Sequence, residues 1–342
     1  MLFTKKQFIF LIIVIGIALF VSMYKMPYYI YKPGGADALN PIVEVEGGYK
    51  SQGDMHLVTI QGGQATPVQY LWAKVLPHQQ VLPLRKVRPE GVSKDEFLHV
   101  QLQMMESSQE KAKVVAYQAA DKDIDIDYKG VYVVSVVDEM PASDVLQRGD
   151  RITGIDDTTI QKADELISYV EKKQAGDTIE VDIKRDDQTL TKDIKLKPFP
   201  DDKNKTGIGI RLATDRAVQV DPDVQFSSGD IGGPSAGLMF SLEIYDQLTK
   251  TDVTNGFQVA GTGEIDYQGN ILRIGGVKKK VIAADDEGCA IFFAPNENGA
   301  NDSNYEAAME AADDIGTDMT IVPVDTFSDA LNYLQQLQAK EK

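Results

Sequence analysis

The sequence predicts an α+β chain of about two domains carried behind an N-terminal transmembrane helix. Three observations predict it. Phe8–Tyr24 is an uncharged, mostly apolar run of 17 residues, near the short limit for crossing a bilayer. From residue 41 onward, short alternating stretches of strand character interleave with stretches of helical period. The chain has 342 residues, 43% of them hydrophobic, enough for two packed cores at ordinary domain sizes.

At the N-terminus, Lys5 and Lys6 precede the apolar run, and Tyr28, Tyr29 and Tyr31 follow it like an interfacial belt. Lys25 and Lys32 on the far side weaken the positive-inside contrast. A cleaved signal peptide is the competing reading, but the small-x-small site Ala36-Asp37-Ala38 comes too late after the run. Residues 1–26 are therefore expected to form a cytoplasmic tip and an uncleaved single-pass anchor. Residues 27–40, rich in turn formers (KPGGADALNP), read as a linker. The rest of the chain is expected outside the cytoplasm, at the cell membrane.

Next, IVEVEGGYKSQGDMHLVTIQGG alternates apolar and polar residues on both sides of Gly53-Asp54, as a hairpin would. SKDEFLHVQLQMMESSQEKAKVVAYQAA has helical period and a capping residue in Ser93. Residues 127–200 then hold several short strands, a short helix near Pro141–Leu146 and another near Lys162–Lys173. The pieces GVYVVSV, PASDVLQRGDRITGID and AGDTIEVDIKR resemble a PDZ domain of the bacterial, HtrA-type arrangement. The resemblance implies a PDZ domain over 126–198. It implies that Gly130, Val131, Tyr132 and Val133 receive a peptide C-terminus, the Gly130–Tyr132 amides binding its carboxylate while the peptide adds as a strand. A PDZ fold serving only as a rigid spacer is the plainer alternative.

The net charge of −17 argues against nucleic-acid binding, which needs a basic face toward phosphates. With Cys289 the only cysteine, no intrachain disulfide and no cysteine-rich metal site can form. No G-x-x-x-x-G-K-[ST] phosphate loop is present, so ATP is not an expected ligand. No cofactor or metal is expected.

Residues 229–237 read GDIGGPSAG, with an apolar helical run directly after. Gly233-Pro234-Ser235-Ala236-Gly237 has the spelling of an α/β-hydrolase nucleophile elbow. That class needs its histidine after the serine, and the only histidines, His56, His78 and His99, all precede it. A lysine of depressed pKa is another possible base. VKKKVIAADDEG after Gly275-Gly276 places three lysines in a first helical turn, where the helix dipole is unfavourable to cations and helps deprotonate an amine. At about 100° per residue, Val277, Val281 and Ala284 form the apolar stripe; Lys279 points away, and Lys280 lies nearer its centre than Lys278. A solvated basic run is the alternative.

GGPSAG, GTGEIDYQGNILRIGGVKKK and GCAIFFAPNEN together resemble the proteolytic domain of the Lon protease family. The resemblance implies a serine–lysine dyad of Ser235 and Lys280, 45 positions apart. It further implies that Thr262 orients the lysine amine, and that the backbone amides of Ser235 and Gly232 form the oxyanion hole. EVEGGYKSQGDMHLVTI and MMESSQEKAKVVAYQAA resemble the family's opening strands and first helix. A Lon-type domain over 41–125 and 199–342 with an inserted PDZ domain is thus expected. The whole is similar to membrane-anchored PDZ–Lon-like proteases of Gram-positive bacteria. In one departure, Gly232 stands where full-length Lon enzymes commonly carry aspartate. The implied function is an ATP-independent, membrane-tethered serine endopeptidase acting on peptides or unfolded proteins outside the cytoplasm. The alternative is a catalytically inactive PDZ scaffold at the membrane.

Overall fold

The computed structural model describes residues 5–89, 91–186, 188–203 and 205–338; residues 1–4 of the expected tip lie outside them. The helices are α1 Lys5–Met23, α2 Pro67–Ala73, α3 Lys94–Ala119, α4 Ala163–Val170, α5 Gly237–Leu248, α6 Val277–Asp286, α7 Asn304–Ile315 and α8 Phe327–Gln336. The chain divides into two compact units, one running to Asp123 and resuming at Val220, the other spanning Ile124–Gln219. Among the described residues, α1 is the one helix long and apolar enough to cross a membrane, with a mean hydropathy of 2.3.

The discontinuous unit is built on a six-stranded mixed sheet. Its order is Thr320–Val324, Ile291–Pro295, Gln258–Gly261, Asp54–Gln64, Tyr28–Ala38, Gln80–Pro83. The first four strands run parallel and the last two pairings are antiparallel. Ile291–Pro295 is buried throughout, as expected of a parallel strand covered on both faces. Successive side chains point to opposite faces of a strand. Phe292 and Ala294 pack with Val277, Val281 and Ala284 of α6 and Ala308 and Ala311 of α7. Phe293 between them meets Tyr333 of α8 edge-on, with ring centroids 5.8 Å apart. The sheet therefore lies between α6/α7 and α5/α8, and α3 packs on α5.

The structure corrects two sequence readings in this unit. Residues 27–40 are not a linker: Tyr28–Ala38 is an interior strand, paired with Asp54–Gln64 on one side and Gln80–Pro83 on the other. Its Pro33-Gly34-Gly35 segment reads as a turn but is taken up by a register irregularity between Pro33 and Ala36, the usual place for proline in a sheet. A Cβ on Gly34 would lie 2.4 Å from Thr59 Oγ1, so the close approach of the two strands requires glycine. The expected hairpin about Gly53-Asp54 also does not form. Val43–Val45 pairs with Val224–Phe226 instead, while Asp54–Gln64 enters the large sheet.

The second unit is a sheet in the order Ile210–Asp221, Asp123–Val136, Arg151–Ile155, Thr178–Arg185, Gln188–Lys195. Val131, Val133, Ile152, Ile155, Ile179 and Leu166 of α4 belong to its core. Here the peptide-docking expectation is corrected. Gly130–Val133 lie inside Asp123–Val136, which has a neighbouring strand on each side. Val131 pairs with Ile152 and Tyr132 with Arg151 on one edge, and the strand starting at Ile210 occupies the other. An incoming peptide therefore finds no open edge along Gly130–Val133. An open pocket of about 480 Å³ lies instead beside α4 and the outer strand, lined by Leu166, Ile167, Val170, Phe199, Ile210 and Leu212 among others.

Candidate active site

Ser235 sits in the turn immediately before α5, whose N-cap is Ala236. The turn is held from two sides. On one, Gly263 N–H and the Thr262 hydroxyl both donate to the Ser235 carbonyl, each at 3.0 Å. On the other, α3 supplies the buried Ser108, whose hydroxyl donates to the Pro234 carbonyl at 2.9 Å. The Gln101 carbonyl of α3 also accepts from Gly233 N–H at 2.8 Å. Gly233 has φ +95°, a conformation for which glycine is the ordinary residue.

The departure at Gly232 has a steric account. A Cβ there would lie 2.7 Å from Gln101 Cβ and 3.1 Å from the Gln101 carbonyl carbon. α3 thus passes so close that any side chain at 232, aspartate included, would require it to shift. The amide of Gly233 is spent on Gln101. Those of Gly232 and Ser235 have no protein acceptor among the described residues.

Lys280 rises from the first turn of α6, which begins after Gly276 in the left-handed conformation. The three lysines separate sharply. Lys278 pairs with Glu310 of α7 at 2.5 Å. Lys279 donates to Gln80 Oε1 at 2.9 Å, and its pKa is lowered by partial burial and by Lys278. Lys280 is buried, 3% exposed. Its Nζ lies 2.7 Å from Ser235 Oγ and 2.8 Å from Thr262 Oγ1. Thr262 is itself fully buried; its hydroxyl accepts from the amine and donates to the Ser235 carbonyl. Burial pushes the Lys280 pKa down to about 7, because a low-dielectric surrounding disfavours the ammonium form. A large part of the amine is therefore neutral at neutral pH, with its lone pair able to face a serine hydroxyl.

The structure thus brings Ser235, Lys280 and Thr262 into one hydrogen-bonded cluster, with Gly232 three residues from the serine. The histidines play no part in it. His56 has Nδ1 3.1 Å from the Ala36 carbonyl and Nε2 2.5 Å from Gln258 Oε1, and His99 faces Gln103 of its own helix. Ser108 and Gln101, which shape the serine turn, carry no sequence signal of their own: both sit in an ordinary helical run. No group of residues suited to a metal ion occurs among the described residues.

Comparison with known proteins adds two matches. Residues 212–336 match the model of the Lon protease (S16) C-terminal proteolytic domain, and residues 97–196 match that of the PDZ domain. The Lon protease of Campylobacter jejuni is 39% identical over 106 residues, 30% of this chain and 12% of that protein. The Lon protease of Metamycoplasma arthritidis is 34% identical over 110 residues, 32% of this chain and 12% of that protein. That of Mycoplasmopsis agalactiae is 27% identical over 186 residues, 54% of this chain and 17% of that protein. The chain thus spans only a small fraction of these relatives' length. Among solved structures, the PDZ domain of an SdrC-like protein from Listeria monocytogenes is 43% identical over 25% of this chain and 88% of its own, with a TM-score of 0.23.

Proposed function

For a chain that carries a Lon-type proteolytic domain and a PDZ domain, we propose the function of a serine endopeptidase held at a membrane by α1. It would cleave peptides or unfolded proteins outside the cytoplasm without ATP. In this reading the PDZ unit is inserted between the two segments of the protease unit and assists substrate binding. The supporting observation is the buried Lys280 amine 2.7 Å from Ser235 Oγ.

Neutral Lys280 takes the Ser235 proton as Oγ attacks the peptide carbonyl, and the new ammonium is stabilised by Thr262 Oγ1. The oxyanion develops beside the amides of Ser235 and Gly232 at the approach to α5, where the helix dipole adds positive potential. Collapse of the tetrahedral intermediate passes the proton from Lys280 to the leaving amine, leaving an acyl-Ser235. Water, deprotonated by the again neutral Lys280, then attacks the acyl carbonyl; the bond to Ser235 Oγ breaks, the Lys280 ammonium returns its proton to Oγ, and the acid product leaves. A site that encloses its base in apolar packing suits an extended segment better than a folded domain, and the chain has no phosphate loop with which to drive unfolding.

The test compares full chain with Ser235→Ala and Lys280→Met on an unfolded protein and on a short fluorogenic peptide. Both variants are expected to lose turnover by several orders of magnitude, as when one member of a catalytic set is removed. Turnover equal to wild type in either would end the dyad assignment. Attachment through α1 is tested by extraction at alkaline pH, which releases peripheral proteins and leaves spanning helices in the bilayer.

A further inference from the structure

The helix α2 and the turn after it carry an apolar stripe on the wrong side for a soluble protein. Val68, Leu71, Trp72, Val75 and Leu76 follow the i, i+3, i+4, i+7, i+8 spacing that normally faces a core. Here they are 40%, 67%, 59%, 78% and 44% exposed, respectively. The turn continues the helical path, with Val75 and Leu76 amides both donating to the Trp72 carbonyl at 3.0 and 2.9 Å. The opposite side is the one that packs: Ala73 is buried, and the Tyr70 ring meets Tyr28 at 4.8 Å.

Two further observations say what covers this stripe. First, α2 adjoins α1. The chain leaves α1 at Met23, and the Met26 amide donates to the Ala65 carbonyl at 2.8 Å, directly before the Thr66 cap of α2. Second, charge is segregated there. In a chain of net charge −17, the 35 residues Met55–Pro89 contain no Asp or Glu but hold Lys74, Arg85, Lys86 and Arg88. An apolar stripe with tryptophan and basic neighbours is the composition of an interfacial helix on anionic lipid.

We propose that Pro67–Leu76 lies in the lipid–water interface beside the emerging α1, as a second membrane contact for the protease unit. Leu71, Trp72 and Val75 enter the acyl boundary while Lys74 and the 85–88 cluster meet anionic headgroups. Two contacts fix the unit's orientation, where a single helix would leave it free to swivel. The inference rests on reading α1 as the anchor, and the experiment separates the two.

Trp72 is the only tryptophan in the chain, so its emission reports this site alone. The full chain is reconstituted in vesicles of mixed zwitterionic and anionic lipid, and quenching is compared between lipids brominated near the glycerol end and iodide in the water. Emission that is blue-shifted, quenched by the brominated lipid and spared by iodide is the expected result. Leu71→Glu with Val75→Glu should reverse that preference while leaving hydrolysis of a short soluble peptide unchanged. Quenching by iodide in wild type overturns the proposal, as does shielding from both quenchers, which would mean that a second copy or another protein covers the stripe. Alkaline extraction reads α1 separately. A chain that stays in the bilayer with Trp72 open to iodide keeps its anchor and loses the interfacial contact. A chain that extracts but whose Trp72 is lipid-quenched keeps the contact and loses the anchor.

Discussion

Replacing Lys280 by methionine should make the protein inactive and more stable, and the gain should depend on pH in a defined way. An unfolded lysine titrates near 10.5, and burial lowers Lys280 to about 7. At 1.36 kcal/mol per pH unit, the burial that depresses this pKa costs the fold about 4–5 kcal/mol at pH 7 and below. Methionine has nearly the same volume and no charge, so packing beside Val277 and Val281 is kept. The loss is the amine's hydrogen bonds to Ser235 and Thr262, about 1–2 kcal/mol, with Thr262 keeping its bond to the Ser235 carbonyl. A net stabilisation of about 3 kcal/mol near pH 7 follows, with the sign fixed by linkage. A depressed folded pKa contributes stability that is present above 10.5 and lost as pH falls through about 7. The advantage of Lys280→Met therefore shrinks by about 1.4 kcal/mol per pH unit between pH 7 and 10. Urea titrations of both proteins at several pH values, following the transition of the discontinuous unit by circular dichroism, measure it. A variant no more stable than wild type, or an advantage that does not shrink with rising pH, would refute the claim that Lys280 is buried at a cost.

Four other outcomes follow from the same structure. The kcat/KM of the wild type on a short peptide should rise with pH and level off above about 7, since the proposed dyad requires Lys280 to be neutral in the free protein. Thr262→Val should lower kcat roughly tenfold, about the worth of one hydrogen bond, with little change in KM; an unaltered kcat would remove Thr262 from the site. Gly232→Asp should destabilise the unit by about 1–3 kcal/mol through overpacking against α3, seen as a lower unfolding midpoint. Ile167→Asp, in the pocket beside α4, should slow cleavage of an unfolded protein more than that of a short peptide; equal slowing would make that pocket structural.

What the sequence disclosed and what it hid divide along the range of the interactions. The lysine of the candidate site was partly legible because helical geometry is local: the stripe of Val277, Val281 and Ala284 sets Lys279 aside and favours Lys280 over Lys278 by a modest margin, and the resemblance to the Lon proteolytic domain is what implied Lys280. The α+β architecture was likewise legible from the alternation of periods. Strand partners were not. Tyr28–Ala38 hid behind Pro33-Gly34-Gly35 and behind tyrosines that also suit a membrane boundary, and only its pairing with Asp54–Gln64 reveals it as sheet. Gly130–Val133 looked like an open edge because the strand that closes it begins far downstream at Ile210. The contacts of Gln101 and Ser108 with the serine turn depend on where α3 crosses α5, which no local pattern encodes.

A perturbed acid in the same unit shows why geometry, and not titration alone, identifies the candidate site. Glu243 on α5 is 4% exposed. Burial, reinforced by Asp246 and Asp54, raises its pKa to about 7, against the hydrogen bond from Gln247. Judged by titration alone it is as anomalous as Lys280. Its surroundings differ in kind. Gln247 donates to Glu243 at 2.6 Å and to the Val43 carbonyl at 2.8 Å, and accepts from the Val45 amide at 2.8 Å. Glu243 thus steadies an amide that clamps the strand Val43–Val45, and its side-chain hydrogen-bond partner among the described residues is an amide, not a hydroxyl or a thiol. Its linkage has the opposite sign to that of Lys280: a raised carboxyl contributes stability below about 4.5 that is lost as pH rises through about 7. Glu243→Gln, which keeps the acceptor for Gln247, should stabilise the unit by roughly 3 kcal/mol at pH 8 and leave peptide cleavage intact. The two groups carry comparable penalties at neutral pH. Of the two, the lysine is the one with a serine hydroxyl at 2.7 Å, the contact on which the proposed dyad rests.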